Sequence, residues 1–136
     1  MATKSFSEAV AASDAANLDL LRGDAQPLKE LYSHGEDVTV LGGFGGMEQG
    51  WSEVGPRLDW AAAQFTGGAY RRTTLSMVEG SDIAYTVSIE ANRVREAGKS
   101  QDSVLDLRVT QIYRREGDRW RLVHRHADPL TVKRTP

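Results

Sequence analysis

The chain has 136 residues, a formal net charge of −2 and no cysteine. That length fits a single domain over residues 1–136 whose core needs no disulfide or metal staple, and the absence of thiols excludes a thiol nucleophile and a thiolate metal site. The mildly acidic balance, with no basic stripe, argues against nucleic acid as a partner. Met1 to Ser5 lacks the apolar run of a signal peptide, and no segment is apolar enough to span a bilayer. The expectation is a cytoplasmic chain with no membrane contact.

In chain order, Ser5 and Glu8 form a capping box for a first helix, whose apolar positions are Phe6, Ala9, Val10, Ala12, Ala16, Leu20 and Leu21. Gly23 ends it. Asp24 can cap a short second helix, with Pro27 in its first turn and Leu28, Leu31 and Tyr32 on one side. Asp37 to Leu41 reads as a short β-branched strand, followed by a glycine-rich loop from Gly42 to Gly50. Ser52 is the candidate cap of a third helix, with Trp51, Val54, Leu58, Ala61 or Ala62, and Phe65 as its buried stripe. Trp60 lies roughly 200° around from Leu58 at about 100° per residue, so it falls off that stripe. Gly67-Gly68 terminates the helix.

Four strands follow, near 69–78, 82–94, 103–115 and 119–127, separated by turns at Glu79-Gly80-Ser81, Ala97 to Ser100 and Glu116-Gly117-Asp118. Helices first and then an antiparallel meander is the order of an α+β domain. One sheet face should pack on the helices. The outer face carries so many apolar and small residues that a second subunit is expected to cover it, in a two-fold homodimer burying on the order of 800 Å² per partner.

The last hairpin carries most of the functional signal. With strict alternation along the strand, Trp120, Leu122, His124 and His126 share one face, so an apolar base runs into two imidazoles. Those histidines, toward the open end of the sheet, read as lining a ligand pocket. Either could act as a general base near neutral pH, or the pair could bind metal with Glu90 or Asp128, although no third histidine lies nearby. Arg108 is a candidate clamp for a carboxylate or enolate, or else a salt bridge to an acid on a neighbouring strand. Thr110 and Gln111 are candidate donors to a ligand oxygen. Trp60, Tyr32 and Tyr85 are candidate aromatic walls. Gly42-Gly43-Phe44-Gly45-Gly46 is not a nucleotide motif: Glu48 stands where a third glycine belongs, and no Walker-type lysine follows. It reads as a flexible lip that could close on a pocket. No cofactor and no metal are expected.

These segments, from Phe6 through the Val38 to Gly43 strand, Gly50-Trp51 and the hairpin from Arg108 to His126, together resemble a SnoaL-like domain of the nuclear-transport-factor-2-like superfamily. Ketosteroid isomerases and the association domain of calcium/calmodulin-dependent kinase II belong to the same superfamily. The resemblance implies a cone, in which a strongly curved, mostly antiparallel sheet wraps around three N-terminal helices. It also implies a pocket in the mouth of the cone and a dimer through the sheet. It does not carry over the isomerase chemistry: the general-base aspartate of ketosteroid isomerases falls near Gly42 or Gly43, and their oxyanion-side aspartate near Gln111. Glycine cannot abstract a proton and glutamine cannot titrate. The expected function is therefore small-molecule binding at the mouth of the cone. The alternative is a lyase, isomerase or cyclase acting on an apolar carbonyl compound, with His124 or His126 as base.

Overall fold

A computed structural model describes residues 3–136. Ser5 Oγ accepts the Glu8 N–H at 3.1 Å and opens α1, Phe6–Leu21. The helix ends in a Schellman turn, where the Asp24 and Gly23 N–H groups donate to Asp19 O and Leu20 O and Gly23 takes a φ of 93°. Asp24 Oδ1 accepts the Gln26 N–H at 3.0 Å and starts α2, Gln26–Leu31. The chain then touches the sheet through a bridge between Tyr32 and Leu122, which fixes Tyr32 over the last strand.

Strands β1 (Thr39–Leu41) and β2 (Glu48–Gln49) precede α3, Trp51–Ala63. The expected Ser52 cap is not used. Gly50 is the N-cap, with φ 81°, and a Cβ there would sit 3.2 Å from Glu36 O. Val54, Gly55, Leu58 and Ala62 form the buried face of α3, and Trp51 lies at the core edge, stacked on His34 at 3.8 Å. Phe65 is buried as expected, but it begins β3 rather than closing the helix.

The long strands are β3 (Phe65–Glu79), β4 (Ile83–Glu96), β5 (Ser103–Glu116) and β6 (Arg119–Pro129). Gly67-Gly68 does not stop a helix; both residues lie within β3. At Gly68 a Cβ would collide with the Arg93 carbonyl oxygen and meet the Leu21 side chain at 3.3 Å, so α1 and β4 approach there too closely for any side chain. The six strands form one curved, unclosed sheet in the order β2-β1-β6-β5-β4-β3, antiparallel except where β1 runs parallel to β6. The α+β class expected from the element order and the curved sheet implied by the family resemblance are the observed architecture. The helices fill its concave side, where Phe6, Tyr113, Trp120 and Leu122 belong to one buried core cluster.

One irregularity decides the site. Along β5 and β6, Tyr113 pairs with Leu122 but Ile112 pairs with His124, so Val123 is an extra, unpaired residue. This β-bulge breaks the alternation. Trp120 and Leu122 face the interior, and after Val123 it is Arg125 and Ala127 that continue on that side.

Candidate functional site

The concave side of the sheet holds a partly open cavity of about 100 Å³. A water needs about 10–15 Å³ by the same measure, so there is room for several waters or a small organic molecule. Leu20, Leu21, Leu28, Leu58, Phe65 and Leu107 make its apolar wall. The glycine-rich loop contributes Gly42, Gly43 and Phe44 to the wall. Phe44 meets Trp60 edge-on at 5.4 Å between ring centroids, and the Arg57 guanidinium lies 3.9 Å over the Trp60 ring. Trp60 is thus exposed beside two cavity-lining residues, although it does not itself line the cavity.

The polar groups of the cavity come from positions that alternation alone does not reveal. Glu90, on β4, is 2% exposed and takes a two-pronged ion pair from Arg125, at 2.9 Å to Oε2 and 2.8 Å to Oε1. Burial alone would pull the Arg125 pKa down, but Glu90, with Tyr32 and Tyr70 adding to it, raises it above the ordinary arginine value, so the guanidinium stays charged. Arg125 also donates to Gln111 Oε1 at 2.8 Å. Gln111 spends its amide N–H groups on Ser13 Oγ and the Tyr113 hydroxyl. It is interior and buried, yet committed to protein partners rather than to the cavity.

Tyr32 lies in the cavity wall with no exposed surface, and desolvation pushes its pKa well above the ordinary phenol value. It is a neutral O–H donor. That hydroxyl has no hydrogen-bond partner, and neither does Asn17 Nδ2, a second buried group in the same wall. Glu48, from β2, also lines the cavity: its Oε1 lies 3.2 Å from Arg57 Nε, while its buried Oε2 has no partner.

The remaining sequence candidates lie on the other side of the sheet. The bulge at Val123 turns His124 and His126 outward, and neither lines the cavity. The expectation that they continue the Trp120–Leu122 face is corrected by that single extra residue. His124 Nδ1 sits 2.8 Å from Thr39 Oγ1, and its pKa is lowered by burial and by the neighbouring His126. Glu90 faces inward and cannot join a metal site with these imidazoles. Thr110 pairs with His126 and Val87 on the outer face. Arg108 makes an exposed ion pair with Asp128 at 2.8 Å, which is the salt-bridge reading of that residue. Tyr85 is exposed beside Ile83 on the same outer face.

The interior strand faces explain what the sequence reading missed. On β4 the polar series Thr86, Ser88, Glu90 and Asn92 points inward, whereas Ile83, Tyr85, Val87 and Ile89 point outward. A period-two run of polar residues, buried beneath helices, is the signature of a polar interior. On β6 the consecutive apolar pair Leu122-Val123 marks the place where parity changes.

Comparison with known proteins adds the family. The model of the SnoaL-like domain matches residues 7–130. The chain belongs to the SnoaL-like domain family. Among solved structures, it is similar to a nuclear-transport-factor-2-like superfamily protein from Salmonella enterica serovar Typhimurium, with a TM-score of 0.78 at 14% identity, covering 93% of this chain and 89% of that one. A candidate dehydratase of the same superfamily from Streptomyces avermitilis superposes with a TM-score of 0.77 at 21% identity, covering 92% of this chain and 96% of that one. A ketosteroid isomerase-like protein from Erwinia carotovora atroseptica gives 0.74 at 14% identity, with 90% and 93% covered. No curated protein matches the chain significantly. At these identities the likeness establishes the fold and not an activity. Among the described residues, no helix is long and apolar enough to cross a membrane.

Proposed function

We propose that this SnoaL-like domain binds a small, uncharged, mainly apolar molecule in its interior cavity, with an oxygen acceptor turned toward Tyr32 and Asn17. The observation that carries the reading is the pair of unpartnered donors, Tyr32 Oη and Asn17 Nδ2, in a leucine-lined wall. A buried donor without a partner costs on the order of 1–3 kcal/mol, and a ligand carbonyl oxygen recovers that loss. The two charged groups facing each other in the interior, Arg125 and Glu90, already satisfy one another. A carboxylate ligand therefore has no free cation to meet at that pair. The enzymatic alternative gains no support from the histidines, which face away from the cavity.

Acetophenone, a compact aryl ketone, provides the test by titration calorimetry. Tyr32→Phe should weaken its binding by about fivefold to tenfold, the worth of one hydrogen bond, while the melting temperature holds or rises because an orphan hydroxyl has been removed. Unchanged affinity in Tyr32→Phe, or no binding to the unaltered protein, overturns the reading.

A second copy of the chain is the proposed occupant of the outer sheet face, where Val78, Ile83, Tyr85 and Val104 are exposed around the half-buried Val87, Ile89 and Ile112. Apolar side chains in that number on one face favour a partner over water. Light scattering should give a dimer mass at tens of micromolar, and Ile83→Glu should lower it to a monomer mass. A monomer mass for the unaltered chain removes the proposal.

A further inference from the structure

We infer that Glu48 is a second polar pole of the cavity and selects ligands that carry a hydroxyl donor opposite their carbonyl oxygen. The inference rests on the reading of the cavity as a binding site and names the class of molecule it takes. Glu48 is held on one side only. Arg57 Nε lies 3.2 Å from Oε1, while Oε2 is buried and has no partner. A carboxylate oxygen in that state is the strongest unfilled acceptor in the cavity wall, because a hydrogen bond to a charged group exceeds one between neutral partners.

Strand register sets its distance from the interior ion pair. Glu48 pairs with Val40, and Val40 pairs with Arg125, so the three residues form one row across β2, β1 and β6. Two strand spacings, about 10 Å, separate the backbones of Glu48 and Arg125. Tyr32 and Asn17, which carry the orphan donors, and Glu48, which carries the orphan acceptor, line the same cavity from different elements. Apolar side chains occupy the wall that they share. Both ion pairs of the cavity wall, the buried Arg125 with Glu90 and the partly exposed Arg57 with Glu48, are balanced, so the cavity offers no uncompensated charge to a ligand carboxylate or ammonium. The complement is an uncharged hydroxy-ketone with an apolar body between its two oxygens.

The test compares para-hydroxyacetophenone with para-methoxyacetophenone by calorimetry at about pH 6, well below the ionisation of a phenol. The two probes share the ketone and differ only in whether the second oxygen can donate. The unaltered protein should bind the hydroxy compound about tenfold more tightly. Glu48→Gln should reduce that preference to about twofold or less. Glu48→Asp, which withdraws the carboxylate, should do the same, and equal melting temperatures show that the variants fold. If both probes bind the unaltered protein equally, the assignment of Glu48 is overturned and the cavity reading stands. A preference that survives both substitutions overturns it in the same way. If neither probe binds, the cavity reading fails and this inference with it.

Discussion

Replacing Arg125 by alanine should destabilise the fold by about 3–5 kcal/mol, seen as a lower urea midpoint with an unchanged m value. The reason is what remains behind. Arg125 and Glu90 have side chains only 13% and 3% exposed, and they meet through two short bonds. Without the guanidinium, Glu90 keeps only a long contact of 3.5 Å from the Tyr70 hydroxyl, which already donates to Asp14 at 2.9 Å. A buried carboxylate left in that state has lost the partner that offset its desolvation. Removing both charges should cost much less, so the double variant Arg125→Leu, Glu90→Leu is expected to regain most of the lost stability. Arg108→Ala is the control, because its ion pair with Asp128 is exposed and such pairs contribute about 0–1 kcal/mol. An Arg125→Ala variant no less stable than Arg108→Ala would show that the interior pair does not anchor the cone.

The elements of this fold were legible because local chemistry and tertiary demand agree over most of the chain. The Ser5 cap, the Gly23 stop, the Asp24 contact to α2 and the turn at Gly117, with φ 64°, are each satisfied by neighbouring residues. Disagreement arises where a distant segment decides. Gly67-Gly68 has the composition of a helix stop, yet Gly68 is small because Arg93 of β4 and Leu21 of α1 press on it. Gly50 rather than Ser52 caps α3 because the chain must bend past Glu36 with a positive φ. Neither constraint is written in the nearby residues.

The site was less legible, for a related reason. A one-residue bulge inverts the meaning of every later position in a strand. Strict alternation assigns His124 and His126 to the face of Trp120 and Leu122, whereas Val123 hands that face to Arg125. Of the candidates, Tyr32 lies in the cavity wall and Trp60 beside two of its lining residues. Gln111 is interior but bonded to protein. Glu90 entered only as a possible metal ligand or salt-bridge partner, and Asn92 not at all, because polar residues at alternate positions look solvent-facing, and Ile83, Tyr85, Val87 and Ile89 look like core. On β4 the two faces are exchanged, which fits a sheet that lines a polar-walled cavity inside and carries apolar side chains outside.

Trp120→Ala should cost about 3–5 kcal/mol, comparable to loss of the interior ion pair but by a different route. Trp120 is 1% exposed, and its ring lies 5.7 Å from that of Phe6, which itself meets Tyr113 edge-on at 5.2 Å. Those contacts join the start of α1 to the last hairpin, so truncation opens a void where the two ends of the chain are fastened. The main-chain bond from Trp120 N to Thr3 O, 2.8 Å long, reinforces the same junction and survives the substitution. Trp120→Phe separates packing from polarity. It keeps a ring against Phe6 and removes an indole N–H that is buried without a partner, so its cost should stay below about 1.5 kcal/mol. Melting curves followed by far-UV circular dichroism read both variants. Acetophenone affinity measured well below the transition should be unchanged in Trp120→Phe, because Trp120 packs outside the cavity wall. If Trp120→Ala costs less than about 1 kcal/mol, this junction relaxes around the void rather than holding its shape. In that case the rigid inner face of β6, on which Arg125 is positioned, is held by the sheet alone.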